Sequence, residues 1–534
     1  MLEPHPASES SFALVFTWIE ECKDGHIKCQ QHQTLLPKRV IDVWEDTPVL
    51  IDSQGRDAPY ILLSHCWGGE QTITTTQSTL LERQQGIPIS TLPKTFQDAV
   101  TITRTLGIQY LWIDSLCIIQ DLEEDWVSES GNMKDYYRNG YLTISALYSP
   151  NSHHGILKPR QDISSVQLSP TTNLYLRPRL PDHQEVFRNA PLNNRAWALQ
   201  ERLLSTRILH YTDTEMFWEC QTCSSRESSN RSSTVKTDPD SVITSEGEDF
   251  KRVLFNLNDD PYSAIDGAYV TWYRLVTNYS TRAITYSSDK LPAISGLASL
   301  IQSKIGATYL HGIWKEDVRS LLWFRDYSRP DTVAQQSANP ALPRSEPPPS
   351  WSWASAPGPI RYRYEEAIYS GHEAVILEQD FSNLSSQSLD PISYRHLVLR
   401  ARSRRLIYQL EPRNKRQSVR AALYEDGAGS NSRLFVGQGY MDFEDRTYQD
   451  SQIAPIQSCT ALWIIEQRGD PYKTLVPTPH GREQEKIEYI KNLTCLLVEK
   501  VGGEQSWRRI GVGIITDAFH GDGKWSEKND FAII

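Results

Sequence analysis

The sequence predicts an α/β domain built on a parallel sheet flanked by helices, followed by a helical middle region and a β-rich C-terminal domain. Three observations lead there. Two apolar runs, Tyr60-Ile61-Leu62-Leu63 and Tyr110-Leu111-Trp112-Ile113, each end in a polar knot: Ser64-His65-Cys66-Trp67-Gly68-Gly69 after the first, Asp114-Ser115-Leu116-Cys117 after the second. A helical stretch lies between the runs, which is the spacing of a right-handed parallel crossover. Beyond residue 351, short apolar strands alternate with polar turns. Ligands of α/β folds bind at the carboxyl edge of the sheet, so the two knots are the first place to look for a site.

Taken in order, the chain opens with a polar segment and then an apolar patch, Phe12 to Ile19, that begins a helix. Cys22, His26, Cys29 and His32 follow at spacings of 4, 3 and 3, one helical face and a candidate zinc set. A single helix face rarely closes a tetrahedron, so the plainer expectation is buried thiols beside surface histidines, and no metal is assigned. Residues 36–43 read as a strand. After the central strand, 70–79 is a polar loop. A helix runs over about 92–106, with Ser90 or Thr91 as cap, Pro93 in its first turn and Gly107 as its stop. A second helix covers about 124–138 and ends at Asn139-Gly140, before a strand over 141–146. Asn194 caps a helix through Leu204, and residues 207–211 and 216–220 form a strand pair.

These elements divide the chain into a lead-in helix and strand (1–58), the α/β domain (59–223), a Ser-, Thr- and acid-rich disordered linker (224–248), a helical region (249–330), a Pro- and Ser-rich linker (331–350) and the β-rich C-terminal domain (351–534). No internal repeat is found.

A net charge of -11 argues against nucleic-acid binding, which leaves a basic stripe. No run approaches the apolar length of a membrane span. Eight cysteines in 534 residues, with no charged-then-apolar leader over residues 1–11, are expected to be thiols of a reducing, cytoplasmic compartment. Fifteen Trp and 25 Tyr are many, and several sit at loop edges where an amphipathic ring serves a site.

His65 and Cys66 are adjacent in extended chain and point to opposite faces, so they do not form a nucleophile–base dyad with one another. Pairings of Cys66 with another histidine, or of His65 with Cys117, stand against a packing role for both thiols. Gly68-Gly69 is too short to cradle phosphate, and no G-x-x-x-x-G-K-[ST] occurs. Trp126, Glu129 and Met133 share one helical face, where a carboxylate is unusual. Glu129 is therefore either a solvated or Arg-paired residue at the margin of the stripe, or a buried catalytic carboxylate opposite Ser64, His65 and Trp67. Trp197, Gln200, Glu201 and Leu204 share another face, read as a structural network or a ligand wall. Cys220-Gln221-Thr222-Cys223 is a lone C-x-x-C, a weak metal signal without a second pair.

Several stretches together resemble the fungal heterokaryon incompatibility (HET) domain: Ser64-His65-Cys66-Trp67-Gly68, Leu92-Pro93-Lys94-Thr95-Phe96, Leu111 through Ile118, Trp126 with Glu129 and Met133, and Arg195-Ala196-Trp197 through Gln200-Glu201-Arg202. The resemblance covers about 60–201. Similar stretches precede it (Cys22–Cys29, residues 36–43) and follow it (Leu291 through Ala298, Gly312-Ile313-Trp314, Pro349-Ser350-Trp351-Ser352-Trp353-Ala354). It implies a role in self/non-self recognition and cell death, with an incompatibility partner protein or self-association as the contact. It also implies a distant likeness to TIR domains, some of which cleave NAD with a Glu three residues after a Trp. On that likeness Trp126-Val127-Ser128-Glu129 makes Glu129 catalytic. Ser64, His65, Trp67, Trp112, Ser115 and Trp126 would border the pocket, with NAD as substrate and no bound cofactor. A non-catalytic signalling module that acts by self-association is the alternative.

Overall fold

The computed structural model describes residues 3–30, 35–68, 73–160, 166–167, 175–176, 179–229, 251, 254, 261–329, 348–362, 369–372, 374–377, 397–410, 420–425, 435–442, 456–477, 483–501, 506–516 and 525–533. His32, Gly69, residues 230–248 of the expected first linker and most of the second lie outside them. The chain forms two compact units. The first is Met1–Ala264 with Arg282–Ile284 and Pro292–Ile301, and the second holds the remainder.

The first unit opens with α1 (Glu9–Gly25), whose amino end is capped by the Ser8 hydroxyl accepting from the Ser11 amide at 3.1 Å. Phe12, Val15, Ile19 and Cys22 are buried along one face. The helix was expected to continue to residue 32. Instead it stops at Gly25, His26 is extended (φ -113°, ψ 95°), and a 3-10 turn, Ile27–Cys29, folds back.

Strands β1 (Arg39–Asp42) and β2 (Val49–Asp52) form a hairpin at one end of an eight-stranded sheet. The centre is β3 (Tyr60–Ser64), buried at every position as four consecutive apolar residues require. A short helix α2 (Leu80–Gln85) and then α3 (Lys94–Thr105) lead to β4 (Tyr110–Trp112), parallel to β3. Pro93, and not Ser90 or Thr91, holds the cap position of α3, with no side-chain cap bond, because Ser90 and Thr91 are taken up in a separate 3-10 turn. Gly107, at φ +71°, stops the helix as expected.

The polar knot after β4 is a single helical turn, α4 (Asp114–Cys117). Then comes α5 (Glu123–Asn139), and β5 (Leu142–Ser145) returns parallel to β3 on its other side. Gly140 closes α5 with an ordinary φ of -62°, so it is not a left-handed cap. Its role is steric: an added Cβ there would collide with Leu62 Cδ1 of the central strand.

A two-residue pair, β6 (Val166–Gln167) and β7 (Tyr175–Leu176), precedes α6 (His183–Asn189) and α7 (Ala196–Leu204). Arg195, and not Asn194, occupies the cap position of α7, since Asn194 ends a 3-10 turn. β8 (Arg207–Tyr211) runs parallel to β5, and β9 (Met216–Cys220) and β10 (Ser224–Arg226) complete the sheet antiparallel. The order is β10-β9-β8-β5-β3-β4-β1-β2, four parallel strands inside antiparallel margins. β10 uses the first residues expected in the linker.

Alternation along β9 sends its side chains to opposite faces. Trp218 meets Trp18 of α1 at 6.2 Å between ring centroids. On the other face Phe217 packs with Val186 and Phe187 of α6, and Glu219 accepts from Arg202, His183 and His210. Residues 292–301 fold with this unit through the Gly296 amide, which donates to Gln200 Oε1 at 2.8 Å.

Helices Pro261–Ser280, mostly in the second unit, and Pro292–Ile305, mostly in the first, supply the helical middle region. The β-rich part closes on itself: strands at 403–410, 420–425, 435–441, 506–516, 483–501 and 456–477 pair in that cyclic order, all antiparallel, as a six-stranded barrel. Closure removes the open edges that a sheet of this kind otherwise exposes. Among the described residues no helix is long and apolar enough to cross a membrane.

Candidate functional site

The carboxyl ends of β3 and β4 bring distant motifs together. Ser64, the last residue of β3, donates from its hydroxyl to Glu201 Oε2 near the end of α7. His65 is buried with its ring edge against Phe96 of α3 at 4.9 Å, and its Nδ1 lies 3.9 Å from Asp114 Oδ1. Trp67 is half-buried and donates its indole N–H to Asp114 Oδ2 at 2.9 Å. Arg195 donates to the His65 carbonyl from the far side. Asp114 thus gathers the first knot onto the second, and α7 seals both.

Burial sets the protonation states. Burial pushes the His65 imidazole down to about 4 against the pull of Asp114, so the ring is neutral at physiological pH. Burial likewise raises the Glu201 carboxyl to about 7, opposed by Arg195 and reinforced by Asp114. Cys66 is pushed up to about 11 and Cys117 to about 12, both mainly by burial, so neither thiol is a ready nucleophile.

The second part of the site lies along α5. Glu129 is 0% exposed. Tyr136 donates to its Oε2 at 3.1 Å, while Oε1 is buried without a hydrogen-bond partner. Burial raises its pKa, and the neighbouring Arg39 opposes that rise. Arg39 itself is ion-paired to Asp125, one turn before Glu129. The buried positions of α5 are Asp125, Glu129, Ser130, Met133 and Tyr137, so the stripe runs through Asp125 and not through Trp126. Trp126 is half-buried against Trp197, at 6.4 Å between rings.

Trp112, the last residue of β4, meets the tilted ring of Tyr136 at 5.7 Å and the ring of Tyr137 edge-to-face at 6.0 Å. Its indole nitrogen, Ser115 Oγ and His65 Nε2 are, like Glu129 Oε1, buried polar atoms without a partner. Four of the seven residues singled out from the sequence therefore hold unmet hydrogen-bonding capacity at one end of the sheet. The structure does not join Glu129 directly to Ser64: the carboxylate on Ser64 is Glu201, and the Glu129 bond goes to Tyr136. Sequence reasoning passed over Asp114 and Arg195 as site residues and read Glu201 as part of a structural network or a ligand wall, without its bond to Ser64. The position of Asp114 immediately after an apolar strand was the available signal.

The arrangement defines an α/β domain that shuts acidic side chains, indoles and a neutral imidazole into the carboxyl end of a parallel sheet. Residues 60–201 match the family model for Heterokaryon incompatibility protein (HET), and the chain carries that domain. The match begins on the first residue of β3 and ends on Glu201, so it spans the assembled cluster. No curated protein and no solved structure matches the chain.

Proposed function

We propose that the chain is an effector of the heterokaryon incompatibility type, acting in self/non-self recognition and cell death in the cytoplasm, and that its HET domain hydrolyses the nicotinamide–ribose bond of NAD through Glu129. The observation that supports this is the Glu129 carboxylate. It is buried, has no ion-pair partner among the described residues, and keeps one oxygen unpartnered. Leaving such an atom unmet costs about 1–3 kcal/mol, which a substrate hydroxyl or a held water would offset.

The chemistry needs little else. Water attacks the ribose C1′, and the glycosidic electron pair leaves with nicotinamide, neutralising its ring charge. The proton lost by water passes to solvent. The transition state is oxocarbenium-like, so a carboxylate beside the ribose stabilises it and no general acid is needed. Trp67 and Trp112 supply aromatic walls in this reading, and Ser64, His65, Ser115 and Trp126 border the site. Because Glu129 is enclosed, access requires α5 to shift, and self-association or an incompatibility partner is the trigger.

The test is nicotinamide release from NAD by purified protein, alone and under enforced oligomerisation, for wild type, Glu129→Ala and Glu129→Gln. Release by wild type that falls at least about 100-fold in both variants supports the assignment. An unchanged rate removes Glu129 from the mechanism. The enclosure of Glu129 also favours a second reading, a non-catalytic module that signals by self-association. Wild type silent in both formats would select it.

A further inference from the structure

We propose that Cys22, His26, Cys29 and Cys220 bind a structural zinc ion that clamps the N-terminal helix onto the far end of β9. Their donor atoms all lie within 4.8 Å of one another, and the three cysteines are buried while His26 is half-buried. Cys220 Sγ is 3.4 Å from His26 Nδ1. A tetrahedral zinc with ordinary bond lengths places neighbouring sulfur and nitrogen ligands about 3.6 Å apart and two sulfurs about 3.8 Å apart. The cluster is therefore close to ligand spacing before any ion is added.

The chain's own geometry accounts for the assembly. The end of α1 at Gly25 and the following 3-10 turn swing Cys29 back towards Cys22, which a continuous helix cannot do. The fourth ligand comes from the sheet: Trp18 packing on Trp218 sets α1 on the face of β9 from which Cys220, two residues on, also projects. The amides of Thr222 and Cys223 point at Cys220 Sγ at 3.4 and 3.3 Å, and Thr222 Oγ1 is 3.6 Å from Cys29 Sγ. Such donors stabilise a thiolate and orient it as a ligand. Arg207 fixes the turn by donating to the Cys29 carbonyl at 2.8 Å.

Three thiolates and an imidazole select zinc over harder cations, and four protein ligands leave no open position, so the role is structural. Cys223 Sγ lies 3.7 Å from Cys220 Sγ, and none of the eight cysteines is in a disulfide. Cys223 is a neighbour of the site and not a ligand.

The experiment is elemental analysis of the full chain purified without added metal. It is paired with cobalt substitution and thermal melting with and without a strong chelator. About one zinc per chain, the intense visible spectrum of tetrahedral thiolate-bound cobalt, and a melting transition lowered by chelator are expected. Cys22→Ser, His26→Ala and Cys220→Ser should each reduce the zinc content, whereas Cys223→Ser and Cys459→Ser should retain it. If a ligand variant does not fold, the wild-type metal content and cobalt spectrum decide alone. Wild type free of zinc and without that cobalt spectrum overturns the site. Loss of zinc in Cys223→Ser with retention in His26→Ala overturns the ligand assignment.

Discussion

Ser64 at the end of the central strand and Glu201 near the end of α7 share a hydrogen bond across 137 positions of sequence, and both are buried. The bond ties the first stretch of the HET domain to its last. It also places an acid of raised pKa inside the protein, and that has a measurable consequence.

Glu201 carries its proton up to about 7 in the folded chain, against an ordinary 4.5. Between those values the folded state binds more protons than the unfolded state, so stability falls as pH rises through the window. The contribution is fully present below 4.5, and about 3 kcal/mol is lost by pH values above 7. Glu201→Gln should flatten this dependence. Melting temperature between pH 4.5 and 8 is the measurement, and parallel curves for wild type and variant would refute it.

Arg39 and Asp125 form a buried ion pair, with side-chain exposures of 6% and 2%. Burial opposes ionisation of Asp125. Lys38, the Ile119 amide and Arg39 outweigh it and hold the carboxyl below its usual range. Asp125→Ala leaves the Arg39 guanidinium buried with its partner gone, an expected loss of about 3–5 kcal/mol. Urea unfolding followed by a probe in the α/β unit reads this. A loss under about 1 kcal/mol would show that water reaches Arg39.

Gly140 touches Leu62 so closely that Gly140→Ala should destabilise by about 1–3 kcal/mol through overpacking, not through backbone strain. Leu62→Val trims the colliding methyl and should recover part of that loss in the double variant. Additive effects of the two changes in a double-mutant cycle would contradict the steric account.

The framework of the first unit was readable where apolar runs and helical periods are strong. β3, β4, β5, α3 and α5 fall within a few residues of expectation, because four buried residues in a row or a repeated apolar face leave little freedom. Caps were less readable: Pro93 and Arg195 displaced Ser90, Thr91 and Asn194 once neighbouring residues formed 3-10 turns. Closure of the C-terminal barrel was hidden as well, since strand content does not state which strands pair. Long-range polar contacts were the least legible. Nothing local to Glu201 announces Ser64, and Cys220 joins Cys22, His26 and Cys29 only because α1 packs on β9. Glu129 was legible as an unusual carboxylate on an apolar face, but its bond to Tyr136 and its bare oxygen belong to the folded state.

The most direct measurement of the central claim compares the two enclosed carboxylates under identical conditions. Nicotinamide release is followed for wild type, Glu129→Gln and Glu201→Gln, each shown to be folded by circular dichroism and assayed under enforced oligomerisation. Release that disappears in Glu129→Gln but survives in Glu201→Gln is the predicted result. Equal release by wild type and Glu129→Gln would contradict the account.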